Sequence, residues 1–198
     1  ANVEHVLKGL MIQDDGRVFV HEKILTEGLL SFTGDHGVLI DELWKNFNSF
    51  SVHTQLAILN YIRFKTGDYK EKMFAVMMDE KLDKELRLAG IRYFGKYYYA
   101  PALEKLISFT LDKDPELWEY ATVAASSLAI YEGTEACNAL KEALHSGSWY
   151  IRYSAAQSLA AHHMNYDDLM DIISGNDRYA REMMTYRLES YELQNSEV

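Results

Sequence analysis

The chain has 198 residues, 48% of them hydrophobic and 25% charged. That is enough apolar surface for one sizeable core or two small ones, and it excludes a disordered acidic tail. Its net charge of -10 excludes the Lys/Arg-rich composition that supplies most nucleic-acid affinity. No run of residues approaches the roughly 18 consecutive apolar positions of a membrane span. The single cysteine, Cys137, rules out an intrachain disulfide framework and a multi-cysteine zinc site. Two prolines favour long helices over a loop-rich β fold. The opening Ala1-Asn2-Val3 lacks the basic-then-apolar pattern of a signal peptide. The expected location is cytoplasmic.

Helix-start residues recur along the chain at Asp15, Ser49, Asp83, Asp114, Ser148 and Asp177. Asp and Ser are favoured there because their side chains accept hydrogen bonds from unpaired first-turn N–H groups. Three residues after each stands an apolar anchor: Val18, Val52, Leu86, Leu117, Ile151 and Ala180. Four residues further come Leu56, Gly90, Ala121, Ala155 and Met184, with Glu22 breaking the pattern in the first copy. This spacing places each pair on one helical face. Turns then follow at 33–36, 66–68, 99–101, 132–134 and 164–167, built from Gly, Pro and capping residues. After each turn comes a second apolar helical face, such as Leu103-Leu106-Ile107 or Ala136-Leu140-Leu144. The pattern predicts about eleven helices in antiparallel pairs, near 15–47, 49–81, 83–110, 114–146 and 148–174. A terminal helix is expected at 177–191, all within a single domain over 1–198.

Asp114-Pro115-Glu116-Leu117-Trp118 with Ala121 and Leu128 resembles the first helix of a HEAT repeat. Ile151-Arg152 with Ala155, Ala156 and Leu159, and Leu86-Arg87 with Ala89 and Gly95, resemble it too. Ala100-Pro101-Ala102-Leu103-Glu104-Lys105-Leu106-Ile107 is similar to the family's second helix. The resemblance is good over 83–173 and weaker over 15–82. It implies an all-α fold: a right-handed, armadillo-like α-solenoid of about five to six HEAT-like helical hairpins. It also implies that the second helices line the concave face, and that Arg87, Arg152 and Arg181 pair with acidic caps of adjacent repeats.

Charge is unevenly shared. The second helices and their turns hold most of the net negative charge, whereas the first helices are close to balanced. The acids Glu132, Glu135, Glu142, Asp167, Asp168 and Asp171 concentrate this excess toward the C-terminal end. A concave surface of one charge sign favours a basic partner. Tyr69, Tyr97, Tyr98, Tyr99, Tyr131 and Tyr166 fall in or beside the turns. Stacked along one edge, they form either an aromatic rim for a partner or staples between successive turns. Three consecutive side chains, Tyr97 to Tyr99, cannot all point inward.

The expected function is a non-enzymatic protein-interaction scaffold that binds a basic or mixed-charge protein or peptide, without cofactor, metal, nucleic acid or membrane insertion. The alternative is a HEAT-like enzyme-associated or accessory domain of a larger protein, membrane-anchored or not. No phosphate-binding loop, dinucleotide fingerprint or HExxH motif is present. His21-Glu22 is a lone dyad. His162-His163, near Asp167 and Asp168, reads as a helix C-terminus that favours the dipole rather than as a metal site. Cys137, beside Ala136 and Ala139, reads as a small buried residue.

Overall fold

A computed structural model describes residues 2–16, 19–162 and 166–196. The architecture is all-helical, and no strand occurs among the described residues. Twelve α-helices follow one another: α1 (Val3–Asp15), α2 (Glu22–Leu30), α3 (His36–Lys45), α4 (Val52–Lys65), α5 (Lys70–Met78), α6 (Lys84–Lys96), α7 (Leu103–Leu111), α8 (Trp118–Ser127), α9 (Thr134–Ala143), α10 (Trp149–Ala161), α11 (Tyr166–Ile173) and α12 (Arg178–Ser196). Short 3-10 turns at Phe47–Ser49, Ala100–Ala102, Pro115–Leu117 and Leu128–Ile130 join or extend them. No described helix is long and apolar enough to cross a membrane. The chain forms two compact units, Ala1–Gly90 and Ile91–Val198.

In the first unit α1 packs on α3, α2 on α4, and α3 on α4. The core there is built from Leu39, Leu43, Ile58, Leu59, Tyr61, Ile62, Met73 and Met77, all buried. Helix α1 precedes the first expected hairpin. Asn2 caps it, accepting from Glu4 N at 2.9 Å, and Asp15 is its last residue rather than the start of the next helix. Helix α4 likewise starts two residues later than expected. Ser51, not Ser49, is its N-cap, and Thr54 N donates to Ser51 Oγ at 3.4 Å. The inward face shifts by the same two residues. Val52, expected as an anchor, is 44% exposed, and Thr54 and Ile58 are fully buried in its stead. Val18 lies outside the described residues.

In the second unit α7 packs on α8 and α9, α8 on α10, α9 on α10, α10 on α12, and α11 on α12. Expected caps are found at Asp114, which accepts from Glu116 N at 3.0 Å, and at Asp177, which accepts from Ala180 N at 2.9 Å. Asp83, in the first unit, does the same for Glu85 N at 2.9 Å. The small residues Ala121, Ala124, Ala125, Ala155 and Ala156 are fully buried between helices, with Leu106, Leu128, Leu140 and Leu159 around them.

Buried hydroxyls and half-buried imidazoles link successive first helices or the segments that lead into them. Ser127 Oγ donates to Ile91 O at 3.0 Å, across 36 residues. Ser158 Oγ donates to Ala125 O at 2.6 Å, across 33. His162 Nε2 donates to Leu128 O at 2.7 Å, across 34. In the first unit Thr26 Oγ1 donates to Ala57 O at 3.4 Å across 31 residues, and His53 Nε2 donates to Val20 O across 33. Each satisfies a polar group that burial would otherwise penalise. Arg87 Nε donates to Met77 O at 3.1 Å, and Arg152 Nη1 to Ser146 O at 2.7 Å. Both guanidinium groups thus sit at carbonyls near the end of the preceding helix, where the dipole favours positive charge.

Candidate functional site

The acids expected to form one surface lie on α9, α11 and the turn before α9. Gly133 allows that turn: its φ of 128° is a conformation that side chains oppose, and the next residue opens α9. Glu132, Glu135 and Glu142 are exposed, as are Asp167 and Asp171 in the first and second turns of α11. Lys141 Nζ reaches from α9 to Asp168 Oδ1 at 2.8 Å, which makes the two helices neighbours. The hydrogen bond to Asp168 raises the Lys141 pKa, and Asp171 adds to the effect from nearby. Asp168 is therefore partly neutralised. Glu135, Glu142, Asp167 and Asp171 carry no ion pair among the described residues.

The turn tyrosines divide. Tyr69 is buried, and its hydroxyl donates to Asp41 Oδ1 on α3. Burial, with that carboxylate, pushes its pKa well above the usual tyrosine range. Lys72 lies over the Tyr69 ring, 4.1 Å from its centroid. Tyr131 is buried too. Its hydroxyl accepts from Tyr99 N at 3.3 Å, and burial pushes its pKa up to about 12. Both remain neutral phenols at physiological pH; Tyr131 staples its turn to the Tyr99 turn, whereas Tyr69 ties its turn to α3. Tyr97 and Tyr99 are half-buried, against Tyr93 and Phe94 respectively. Tyr98 is 57% exposed and lies 5.0 Å from the Tyr131 ring, so it is the outward member of the run. The Tyr166 side chain lies outside the described residues.

Two further features escaped the sequence reading. The first is a cavity of about 580 Å³ in the second unit. The segment Thr110–Pro115 and Trp118 form one side, and Glu142, Ala143 and His145–Ser148 with Ile151 form the other. Its walls are mainly apolar, with Asp112, Asp114 and Glu142 as carboxylates and Lys113 as the lysine. His145 also lines it and is held by Asp177, at 2.6 Å between Nδ1 and Oδ2. The Ala180 N–H and that histidine hold the Asp177 carboxyl below its usual range. Among the described residues no three His, Cys, Asp or Glu side chains converge as metal ligands would.

The second feature is a row of outward aromatic rings. Trp118 lies 5.4 Å from Tyr150, Tyr150 lies 5.4 Å from Trp149, and Trp149 stacks on Tyr153 at 5.1 Å. Trp118, Tyr150 and Trp149 are 40%, 57% and 51% exposed.

Cys137 is half-buried on α9 and free. No protein-family model matches this chain, and no curated protein matches its sequence.

Proposed function

We propose that this chain is a non-enzymatic scaffold, a HEAT-like α-solenoid of about five to six hairpins, that holds a basic or mixed-charge protein segment against α9 and α11. The observation that carries the reading is the Lys141–Asp168 bridge. By joining the two helices it gathers the exposed Glu135, Glu142, Asp167 and Asp171 on neighbouring elements. Glu135, Glu142 and Asp167, exposed and without an ion pair among the described residues, are steering groups for a cationic partner, with Asp171 near the Lys141 ammonium. The exposed Tyr98, whose ring lies 5.0 Å from that of Tyr131 just before Glu132, is the outward member of the described turn tyrosines and is available as an anchor.

The solenoid part of the reading draws on the hydrogen bonds of constant reach. Five of them, in both units, join residues 31 to 36 apart. That reach is the length of a helical hairpin repeat, and such arrays are stabilised by nearest-neighbour interfaces of this kind. A cytoplasmic setting goes with this proposal, with the lone thiol of Cys137 kept reduced.

The test is a double charge reversal, Asp167→Lys with Asp171→Lys. A fluorescent nonapeptide of alternating Lys and Gly is the probe. Anisotropy should show binding to the parent chain that weakens as salt rises. The double variant should bind at least about tenfold more weakly. Equal affinity, or affinity indifferent to salt, overturns the acidic-surface reading.

A further inference from the structure

We infer that the cavity between the α7–α8 and α9–α10 connections is a pocket for an arginine side chain of a partner protein. The inference deepens the proposed function, since it rests on the partner being basic, and it locates the anchoring contact away from α11.

Three properties of the cavity select the occupant. The first is size. About 580 Å³ exceeds the needs of a water cluster and suits a long side chain with part of its flanking backbone. The second is charge. Asp112, Asp114 and Glu142 outnumber Lys113 in the wall, and His145 is already engaged by Asp177. Asp112 and Asp114 each use Oδ1 to accept a local backbone N–H, at 2.9 and 3.0 Å. Their Oδ2 atoms, and the whole Glu142 carboxylate, have no partner among the described residues. The third is the Trp118 indole, which lines the cavity together with Leu111, Pro115 and Ile151.

A metal ion fits poorly, because the carboxylates do not converge on one point. A planar, delocalised cation suits spread acceptors better. Guanidinium stacks on an indole face, presents five donors in a fork, and is more weakly hydrated than ammonium. Outside the mouth, Tyr150 and Trp149 continue from Trp118 as exposed rings, 5.4 Å apart at each step. They would cover the residues beside the arginine, as aromatic groups do at interface centres.

The probe is acetyl-Gly-Arg-Gly-amide, titrated into the full chain while the Trp118 indole N–H is followed by NMR. The Lys and Glu counterparts of the tripeptide are run in parallel. A saturable shift is expected with the arginine peptide, at least about threefold weaker binding with lysine, and none with glutamate. Asp112→Asn keeps an acceptor for Asp114 N, so the turn is preserved while a charge is removed. It should weaken the arginine peptide about fivefold, and Glu142→Gln should do likewise, each with an unchanged melting midpoint. Glu80→Gln, an exposed site in the first unit, should leave the tripeptide affinity alone. No saturable shift, equal response to the glutamate peptide, or indifference to Asp112→Asn would each overturn the pocket. Failure of the α9–α11 surface reads out separately. There the Lys/Gly nonapeptide ignores the Asp167/Asp171 reversal while the arginine tripeptide still depends on Asp112.

Discussion

Asp14 shows how one side chain joins distant parts of the sequence. From the end of α1 its carboxylate accepts from Ser51 N at 2.7 Å, and from the hydroxyls of Ser51 and Thr54. Burial pushes the Asp14 pKa up, but the donors of Ser51 and Thr54 outweigh it and hold the group below its usual value. The sign follows from linkage. A carboxyl with a depressed folded pKa contributes stability above its unfolded pKa of about 4, and loses it as pH falls through the folded value. Asp14→Ala should therefore cost about 2 kcal/mol at pH 7, because three donors lose their acceptor and Thr54 is fully buried. The difference from the parent should shrink as pH falls below about 4. Urea unfolding at pH 7 and pH 3 checks it. An equal difference at both would assign the loss to packing alone. The contact also shows what a sequence conceals. Asp83, Asp114 and Asp177 were legible as caps because their bonds close within three residues. Asp14, Ser158 and His162 act across 33 residues or more, and no local pattern marks them.

At the level of elements, the helix pairs from α4 onward follow the punctuation of Gly, Pro, Asp and Ser. The phase was harder to read. Ser49 and Ser51 compete as caps two residues apart, and only packing of Thr54 and Ile58 chooses between them. Helix α1 was readable in principle, since Val3, Val6, Leu7 and Leu10 have helical spacing. It precedes the first expected copy of the repeat, whose cap spacing it does not share. The cavity could not be read, because its two sides come from connections that α8 and α9 separate along the chain. Close approach between elements is clearest at Gly90. A Cβ there would stand 3.0 Å from Met77 N and 3.2 Å from Met73 O, both backbone atoms. Alanine normally gains about 1 kcal/mol over glycine inside a helix. Here the clash with α5 should reverse the sign, with Gly90→Ala destabilising by about 1–3 kcal/mol. A raised melting midpoint would show that α5 and α6 can separate without cost.

Across the whole molecule, stability should be distributed in blocks rather than pooled. Leu106 of α7 is fully buried, with no exposed surface from which truncation could be cushioned. Leu106→Ala should cost about 2–5 kcal/mol. Native-state hydrogen exchange should place the loss in α7 to α10, which contact one another, while amides of α3 and α4 keep their protection. Uniform loss of protection would instead mean one cooperative unit, contrary to nearest-neighbour behaviour.

The grips that α10 applies to its predecessor have a further consequence. Ser158 holds Ala125 O, and His162, one turn later, holds Leu128 O at the point where α8 gives way to a 3-10 turn. Two fastenings one turn apart prevent both sliding along the axis and rolling about it. A residue inserted in α10 between Ser158 and His162 would swing the imidazole by about 100° and break the second fastening. In the second unit a change of length is therefore better absorbed outside α10, and the connection that leads into α10 is one wall of the cavity. A length change there would reshape the recess while leaving both fastenings in register.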